Sequence, residues 1–349
     1  MSAPRVYVRG VGAVSPAGWG AAALVAALEN AVPLPTIPLA RPGWDKTVAT
    51  RPVPTPATRP AFLQHARLRR AGPISQYAVA AGLEALGTDT AEVQAGHLKL
   101  GIVVCVMAGG VSYSRRFFEE VLRDPLTASP LVFSETVFNA PASHLAAFLG
   151  IDTAGYTVIG DDGAFLQGLA MAAQWIAQGD LAACLVVGAE EVDWIVSDAM
   201  RLFDRSAIQS GGAGALYLSG KASDNASVQL SAVTDSFNYS ADQNRTKAAR
   251  GMRAQLPNGA AGELLCSGER GSPRADRAER SAWEGWPGLR QTPRTILGEA
   301  FVASTAWQCV AACQWLRGGL GTAANVSIVG ANQQAIGARF VLSDDPRSL

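Results

Sequence analysis

Histidine is scarce in this chain. His65, His97 and His144 are the only three in 349 residues, and they stand far apart. The five cysteines, Cys105, Cys184, Cys266, Cys309 and Cys313, show neither disulfide nor zinc spacing, so buried small hydrophobes are expected and no metal is. Net charge is missing too: Lys+Arg and Asp+Glu are 29 each. A nucleic-acid partner, which needs clustered basic charge to displace counterions, is not expected. The short run Arg67-Leu-Arg-Arg70 reads as a solvated or pocket-bordering cluster. No stretch reaches the roughly 18 uninterrupted apolar residues of a membrane span. Met1 leads into Ser-Ala-Pro-Arg and a strand pattern rather than a signal peptide, so a cytoplasmic protein is expected.

Apolar material is abundant. The chain is 48% hydrophobic and 17% charged. With no net charge to keep copies apart, that composition favours an apolar face covered by another subunit. Short apolar runs alternate with helical patterns, the sign of an α/β protein. Strands are expected at Arg5–Val14, Gly101–Met107, Ala182–Gly188, Ala213–Leu218, Val228–Val233, Val326–Val329 and Ala338–Leu342. Helices are expected at Ala21–Ala31, Ile74–Ala85, Ser143–Leu149, Ala164–Ala177 and Thr305–Leu316. Asn30–Pro60, with eight of the nineteen prolines, reads as an irregular loop, and so does Pro257–Arg294. Two blocks, near 164–220 and 305–342, each run from an Ala-rich helix into paired strands, which suggests a duplicated unit.

Arg9-Gly-Val-Gly-Ala-Val-Ser-Pro-Ala-Gly18 lies between a strand and a helix, but its glycine spacing is wrong for a dinucleotide and Pro16 removes a needed N–H. A structural strand–turn–helix is the better reading, and no cofactor is expected. Glu190-Glu191 ends a strand and reads as scaffold hydrogen bonding rather than an acid–base pair. His144 reads as structural, and His65 and His97 as surface residues.

The same opening segment resembles the start of β-ketoacyl-acyl carrier protein synthases of the thiolase fold. Ala128-Ser-Pro-Leu-Val-Phe133, Asn139-Ala-Pro-Ala-Ser-His144, Ala182-Ala-Cys-Leu-Val-Val-Gly-Ala-Glu190 and Gly211-Gly-Ala-Gly-Ala215 are similar to later blocks of that family, in its order. Pro273-x-x-Asp276-x-x-Glu279, Ile296-Leu-Gly-Glu-Ala300 and Val329-Gly-Ala-Asn-Gln-Gln334 resemble C-terminal blocks more thinly. The resemblance implies a thiolase-like α/β fold, two related α/β halves in a layered α-β-α-β-α arrangement. The halves are expected at residues 1–220 and, shortened, 221–349.

In that family a Cys and two His carry condensation. The turn Thr157-Val-Ile-Gly-Asp-Asp-Gly-Ala-Phe-Leu-Gln167 places Asp162 at the Cys position. Cys266–Pro273 holds no His, and Glu299 takes the place of the second. A carboxylate of reference pKa about 3.9 is a poor acyl acceptor beside a thiolate. Two imidazole donors to the thioester oxygen are absent, and such stabilisation is worth ~3–4 kcal/mol per donor. No catalytic residue is therefore expected; Asp162 and Glu299 are degenerate positions. Asp162 is expected to cap the helix beginning near Gly163.

The resemblance then implies a chain-length factor of a type II polyketide synthase: a subunit that pairs with an active ketosynthase, shapes its acyl tunnel and meets acyl carrier protein through the complex. A polyene or aryl-polyene pathway is a setting suggested by the short second half. Tyr113, Arg116 and Phe117 share a helical face in Gly109–Phe118 and, with Phe133 and Phe138, are tunnel or interface candidates. Two alternatives stay open: an acyl-thioester hydrolase or other acyl-transfer enzyme using Asp162 or Glu299, and a pure scaffold that recruits acyl carrier protein.

Overall fold

A computed structural model describes residues 5–151, 155–222, 227–240, 242–331 and 333–343. Of the Val329–Gln334 segment, Asn332 lies outside the described residues.

Ten strands run edge to edge in the order Leu289–Gln291, Glu263–Ser267, Ala323–Val329, Gln334–Leu342, Val228–Val233, Tyr7–Ser15, Gly212–Ser219, Ala183–Glu190, Leu100–Val106, Gly155–Ile159. The two central strands meet in an antiparallel pair, Tyr7 opposite Gln229 and Val8 opposite Val228. From that seam outward each half repeats one plan. In the first, Gly212–Ser219 is antiparallel to both its neighbours, and the next two junctions are parallel. In the second, Gln334–Leu342 plays the same part and the outer junctions are again parallel. The chain is thus two related α/β halves.

Strand alternation explains the layers. In Ala183–Glu190, Cys184 and Val186 join one core while Ala183, Leu185, Val187 and Ala189 join another. Both faces are buried, hence a continuous apolar run rather than an alternating one. The first of these cores lies between the sheet halves and takes in two helices, Ala164–Gln178 and Phe301–Arg317. Phe301–Arg317 is buried on nearly every side, as its mostly apolar and small composition requires. Helices Pro73–Leu86 and Ala140–Leu149 cover the outer face of the first half. Asp242–Ala254 and Pro273–Ala282 cover that of the second. Three helical layers enclose two sheet layers.

The glycines of the opening segment serve packing. A Cβ on Gly10 would lie 1.9 Å from the carbonyl oxygen of Ala85, and one on Gly12 2.1 Å from that of Ala81. Pro73–Leu86 crosses the strand too closely for any side chain there. No described helix is long and apolar enough to cross a membrane.

Both segments read as irregular carry structure. Within 30–60, strands Ile37–Ala40 and Thr47–Arg51 form an antiparallel pair, and the second adds to Gln209–Ser210. Within 257–294 lie the strands Glu263–Ser267 and Leu289–Gln291 and the helix Pro273–Ala282. Proline density hid the first and charge density the second: Arg280 and Arg290 sit outside the apolar pattern because both pair with Glu269.

Candidate functional site

The turn after Gly155–Ile159 delivers two adjacent carboxylates in opposite directions. Asp161 accepts from the Gly163 N–H at 3.2 Å and from Gln334 Nε2 at 2.8 Å, with the Gln333 and Gln334 N–H groups at 3.3 Å. It closes the turn onto the last strand. Gly330 is glycine for that reason: a Cβ there would lie 2.1 Å from Asp161 Oδ2. Burial and the neighbouring Asp162 charge hold Asp161 above the ordinary carboxylate range.

Asp162 is fully buried. The expected helix cap is not made: Gly163 is the N-cap and has no side-chain cap bond. Instead Asp162 Oδ2 accepts from Arg294 Nη1 at 2.5 Å and from Arg270 Nη2 at 2.6 Å. Two guanidinium donors outcompete backbone N–H groups for a carboxylate, because charge-assisted bonds are about twice as strong as neutral ones; the turn N–H falls to Asp161. Glu299 completes the group, 2.9 Å from Arg294 Nη1 and 3.0 Å from Arg270 Nε. Two carboxylates and two guanidiniums thus form a buried quartet of zero net charge. Burial alone would raise the Asp162 pKa, but Arg294 and Arg270 outweigh it and hold the group below its ordinary value. Arg294, buried among the same acids, is held above its own.

The surroundings fix each member. Arg294 Nη2 donates to Thr305 Oγ1 at 3.1 Å, and that hydroxyl donates to the Asp162 carbonyl at 2.7 Å. Gln308 Oε1 accepts from Arg294 Nε at 3.3 Å. Thr305 and Gln308 lie one turn apart on Phe301–Arg317, so the central helix orients the guanidinium. Arg270 rides on the loop between Glu263–Ser267 and Pro273–Ala282. Asp276 accepts from the Arg270 and Gly271 N–H groups at 2.9 and 3.0 Å. Glu279 accepts from the Gly268 N–H at 2.8 Å and from Ser267 Oγ at 2.9 Å. The Pro-x-x-Asp-x-x-Glu motif is therefore the clamp on the Arg270 loop. Glu299 Oε1 also accepts the Phe301 N–H at 2.8 Å, and Phe301 takes a φ of 44°, a strained value for a bulky residue.

Of the residues singled out by sequence, the structure brings Asp162 and Glu299 together and adds Arg270 and Arg294, which sequence reasoning missed. A signal was present: two acids at buried positions require cations, Arg270 lies in Cys266–Pro273, and Arg294 lies two residues before Ile296–Ala300. Tyr113, Arg116, Phe117, Phe133 and Phe138 lie apart from the quartet. Tyr113 donates its hydroxyl to the Arg70 carbonyl, and Arg116 pairs with Glu120 at 3.1 Å. The rings of Phe117 and Phe133 are 5.2 Å apart, and Phe133 and Phe138 are exposed. Helix Val111–Arg123 buries no residue fully.

Glu190 accepts from the Met107 N–H at 2.5 Å and the Ala108 N–H at 3.2 Å, in line with a scaffold role; burial lifts its pKa to about 8. His144 Nε2 bonds Glu135 at 2.8 Å, while His65 and His97 are exposed. All five cysteines are buried and free.

No protein-family model and no curated protein matches the chain. Solved structures do. A type II polyketide synthase ketosynthase in complex with its acyl-carrier protein (AntDE:AntF) is 18% identical, aligned over 97% of this chain and 99% of that one, TM-score 0.79. The ishigamide ketosynthase/chain length factor is 18% identical over 97% and 100%, TM-score 0.79. The Xenorhabdus doucetiae ketosynthase ApeO in complex with its chain length factor ApeC is 13% identical over 97% and 98%, TM-score 0.79.

Proposed function

The fold is the thiolase-like fold of ketosynthases and chain length factors, and from it we propose that the chain is a non-catalytic ketosynthase-like subunit. It pairs with an active ketosynthase and shapes that partner's acyl tunnel, the role of a chain-length factor in type II polyketide assembly, with a polyene or aryl-polyene pathway as the proposed setting. The partner, not this chain, makes the carbon–carbon bond, and acyl carrier protein reaches this chain through the complex.

One observation carries the reading. The position from which a condensing enzyme presents its thiolate holds a carboxylate with no exposed surface, paired to two arginines. Such a group neither accepts an acyl chain nor takes a proton near neutrality. Hydrolysis by either acid is disfavoured as well, since a general base needs a free lone pair within reach of water. Asp162 Oδ1 is unpartnered but has no exposed surface, and both Glu299 oxygens are taken by Arg294, Arg270 and the Phe301 N–H. Arg270 and Arg294 are fixed donors, but their charge is spent on the two acids and none remains for a developing oxyanion.

The outer surface supports a partner. Strand Gly155–Ile159 is a sheet edge and exposes Tyr156 and Ile159, and Val137, Phe138, Phe133 and Phe118 are exposed as well. Unpaired edges and clustered apolar side chains are ordinarily covered. Phe117, Phe133 and Phe138 belong to the proposed tunnel wall or interface.

Co-expression with a candidate ketosynthase from the same genome tests this. A 1:1 complex that extends carrier-bound chains, with every acyl adduct on the partner, is the expected result. An active lone chain overturns it.

A further inference from the structure

Arg51 ends the strand Thr47–Arg51, in register with Ser210 of the neighbouring Gln209–Ser210. It is 7% exposed and lines a small polar cavity of about 80 Å³, with Asp204, Arg270, Arg294, Gly298 and Glu299 among the other walls. Its Nε donates to the Leu34 carbonyl at 2.7 Å. No carboxylate among the described residues pairs with the guanidinium, and burial pulls its pKa below the ordinary arginine value without an opposing acid.

The other charges of the lining are matched. Arg270, Arg294 and Glu299 belong to the neutral quartet. Asp204 accepts the Ser206 N–H and hydroxyl at 3.0 and 2.5 Å. Burial would raise its pKa, but the Ser206 donors and the Arg270 charge hold it below the ordinary carboxylate range. Arg51 keeps two terminal nitrogens and a charge that one carbonyl oxygen does not cancel. A second unused donor stands beside it. The Ser210 hydroxyl is buried without a partner, 3.2 Å from where a Cβ on Gly298 would lie.

A buried charge without a counterion is costly, and water supplies dipoles rather than charge. The guanidinium fork presents parallel N–H groups that a planar oxyanion accepts together. Volume sets the size of that anion. A cavity of about 150 Å³ takes up benzene, so one of about 80 Å³ holds roughly three to four heavy atoms.

We propose that this cavity binds a small planar monoanion of the carboxylate or bicarbonate type, held by the terminal nitrogens of Arg51 with the Ser210 hydroxyl as supporting donor. The occupant neutralises Arg51 and stabilises the fold by mass action. The site does not depend on pairing with a ketosynthase, so this proposal and the functional one fail separately.

Carbon-13 line broadening of labelled formate tests the assignment, with formamide as the neutral probe of equal size. The full chain is used, in complex with the proposed partner ketosynthase where solubility requires it. Ionic strength is held constant with sodium gluconate, whose anion is too large for the cavity. A ligand this small reaches about millimolar affinity, which sets the titration range. Formate saturates, and formamide binds at least about tenfold more weakly, the loss expected for a charged hydrogen-bond pair. Unlabelled acetate and bicarbonate displace formate, to extents that rank the two sources. Arg51→Gln brings formate down to the formamide level, and Arg51→Lys retains part of the difference. The comparison of wild type with Arg51→Gln also removes any contribution of the partner. Thermal midpoints rise with formate in wild type and stay flat in Arg51→Gln, with circular dichroism reporting that each variant is folded. Equal affinity for formate and formamide, indifference to Arg51→Gln, or no saturable formate binding by the folded wild type would each overturn the proposal.

Discussion

Arg294 donates through a single nitrogen, Nη1, to Asp162 at 2.5 Å and to Glu299 at 2.9 Å. One cation thereby joins the two residues that stand where a thiol and an imidazole are expected. A buried ion pair adds little stability over a packed apolar substitute, but removing one member leaves uncompensated charge. Arg294→Met is predicted to destabilise the protein by about 3–5 kcal/mol. Replacing Asp162 by Leu in the same chain recovers part of that loss, because Arg270 and Glu299 still neutralise each other. Urea unfolding of the two variants and wild type measures both.

A thiol at position 162 is predicted not to confer condensation. Asp162→Cys places a sulfur beside Arg270 and Arg294, where a thiolate is favoured. The site still lacks the imidazole donors, and Glu299 faces the incoming malonyl carboxylate. Assay of Asp162→Cys with acyl- and malonyl-loaded carriers is predicted to give no extended product.

Stability should peak in mildly acidic solution. The Asp162 pKa is depressed by Arg294 and Arg270, so its contribution is present above the ordinary carboxylate range and is lost as pH falls through the folded value. Glu190 acts in the opposite sense. Burial raises it from 4.5 to about 8, so between those values the unfolded chain has already released the proton that the fold retains, and stability declines as pH rises. Glu190→Gln makes that decline shallower while leaving the acid limb; Asp161, Glu191 and Glu279, also raised by burial, keep the remainder. Thermal midpoints of wild type and variant from about pH 2 to about pH 8.5 test the two limbs.

Much of the fold was legible, and what was missed has a physical cause. Strands buried on both faces are continuous apolar runs, so Leu100–Val106, Ala183–Glu190 and Gly212–Ser219 could be read almost to their ends. Gly155–Ile159 and Leu289–Gln291 were not read, since edge strands carry half-exposed, mixed residues. Asp162 and Glu299 stood out as replacements. The partnership that makes sense of them did not, because Arg270 lies 108 residues from Asp162 and Arg294 lies 132 away. Sequence fixes neighbours along the chain, while ion pairing is settled by which loops the sheet brings together. The same limit misassigned the helix cap: two adjacent aspartates are equivalent in sequence, and only the guanidiniums distinguish them.

Phe117 gives a test of the tunnel. Its ring packs against Phe133 on the surface proposed to face the ketosynthase. Phe117→Ala in the complex opens space and is predicted to shift products toward longer chains, and Phe117→Trp toward shorter ones, with total turnover changed less than the distribution. Chromatography and mass spectrometry of released products read the shift. An unaltered distribution in both variants removes Phe117 from the tunnel wall.

The most direct measurement is intact-protein mass spectrometry of this chain, alone and mixed with the proposed partner ketosynthase, after incubation with acyl- and malonyl-loaded carrier protein. The account predicts that its mass stays unmodified in both samples, that the acyl increment falls on the ketosynthase, and that extended product forms only when the ketosynthase is present. An acyl increment on this chain, or extended product from the chain alone, contradicts it.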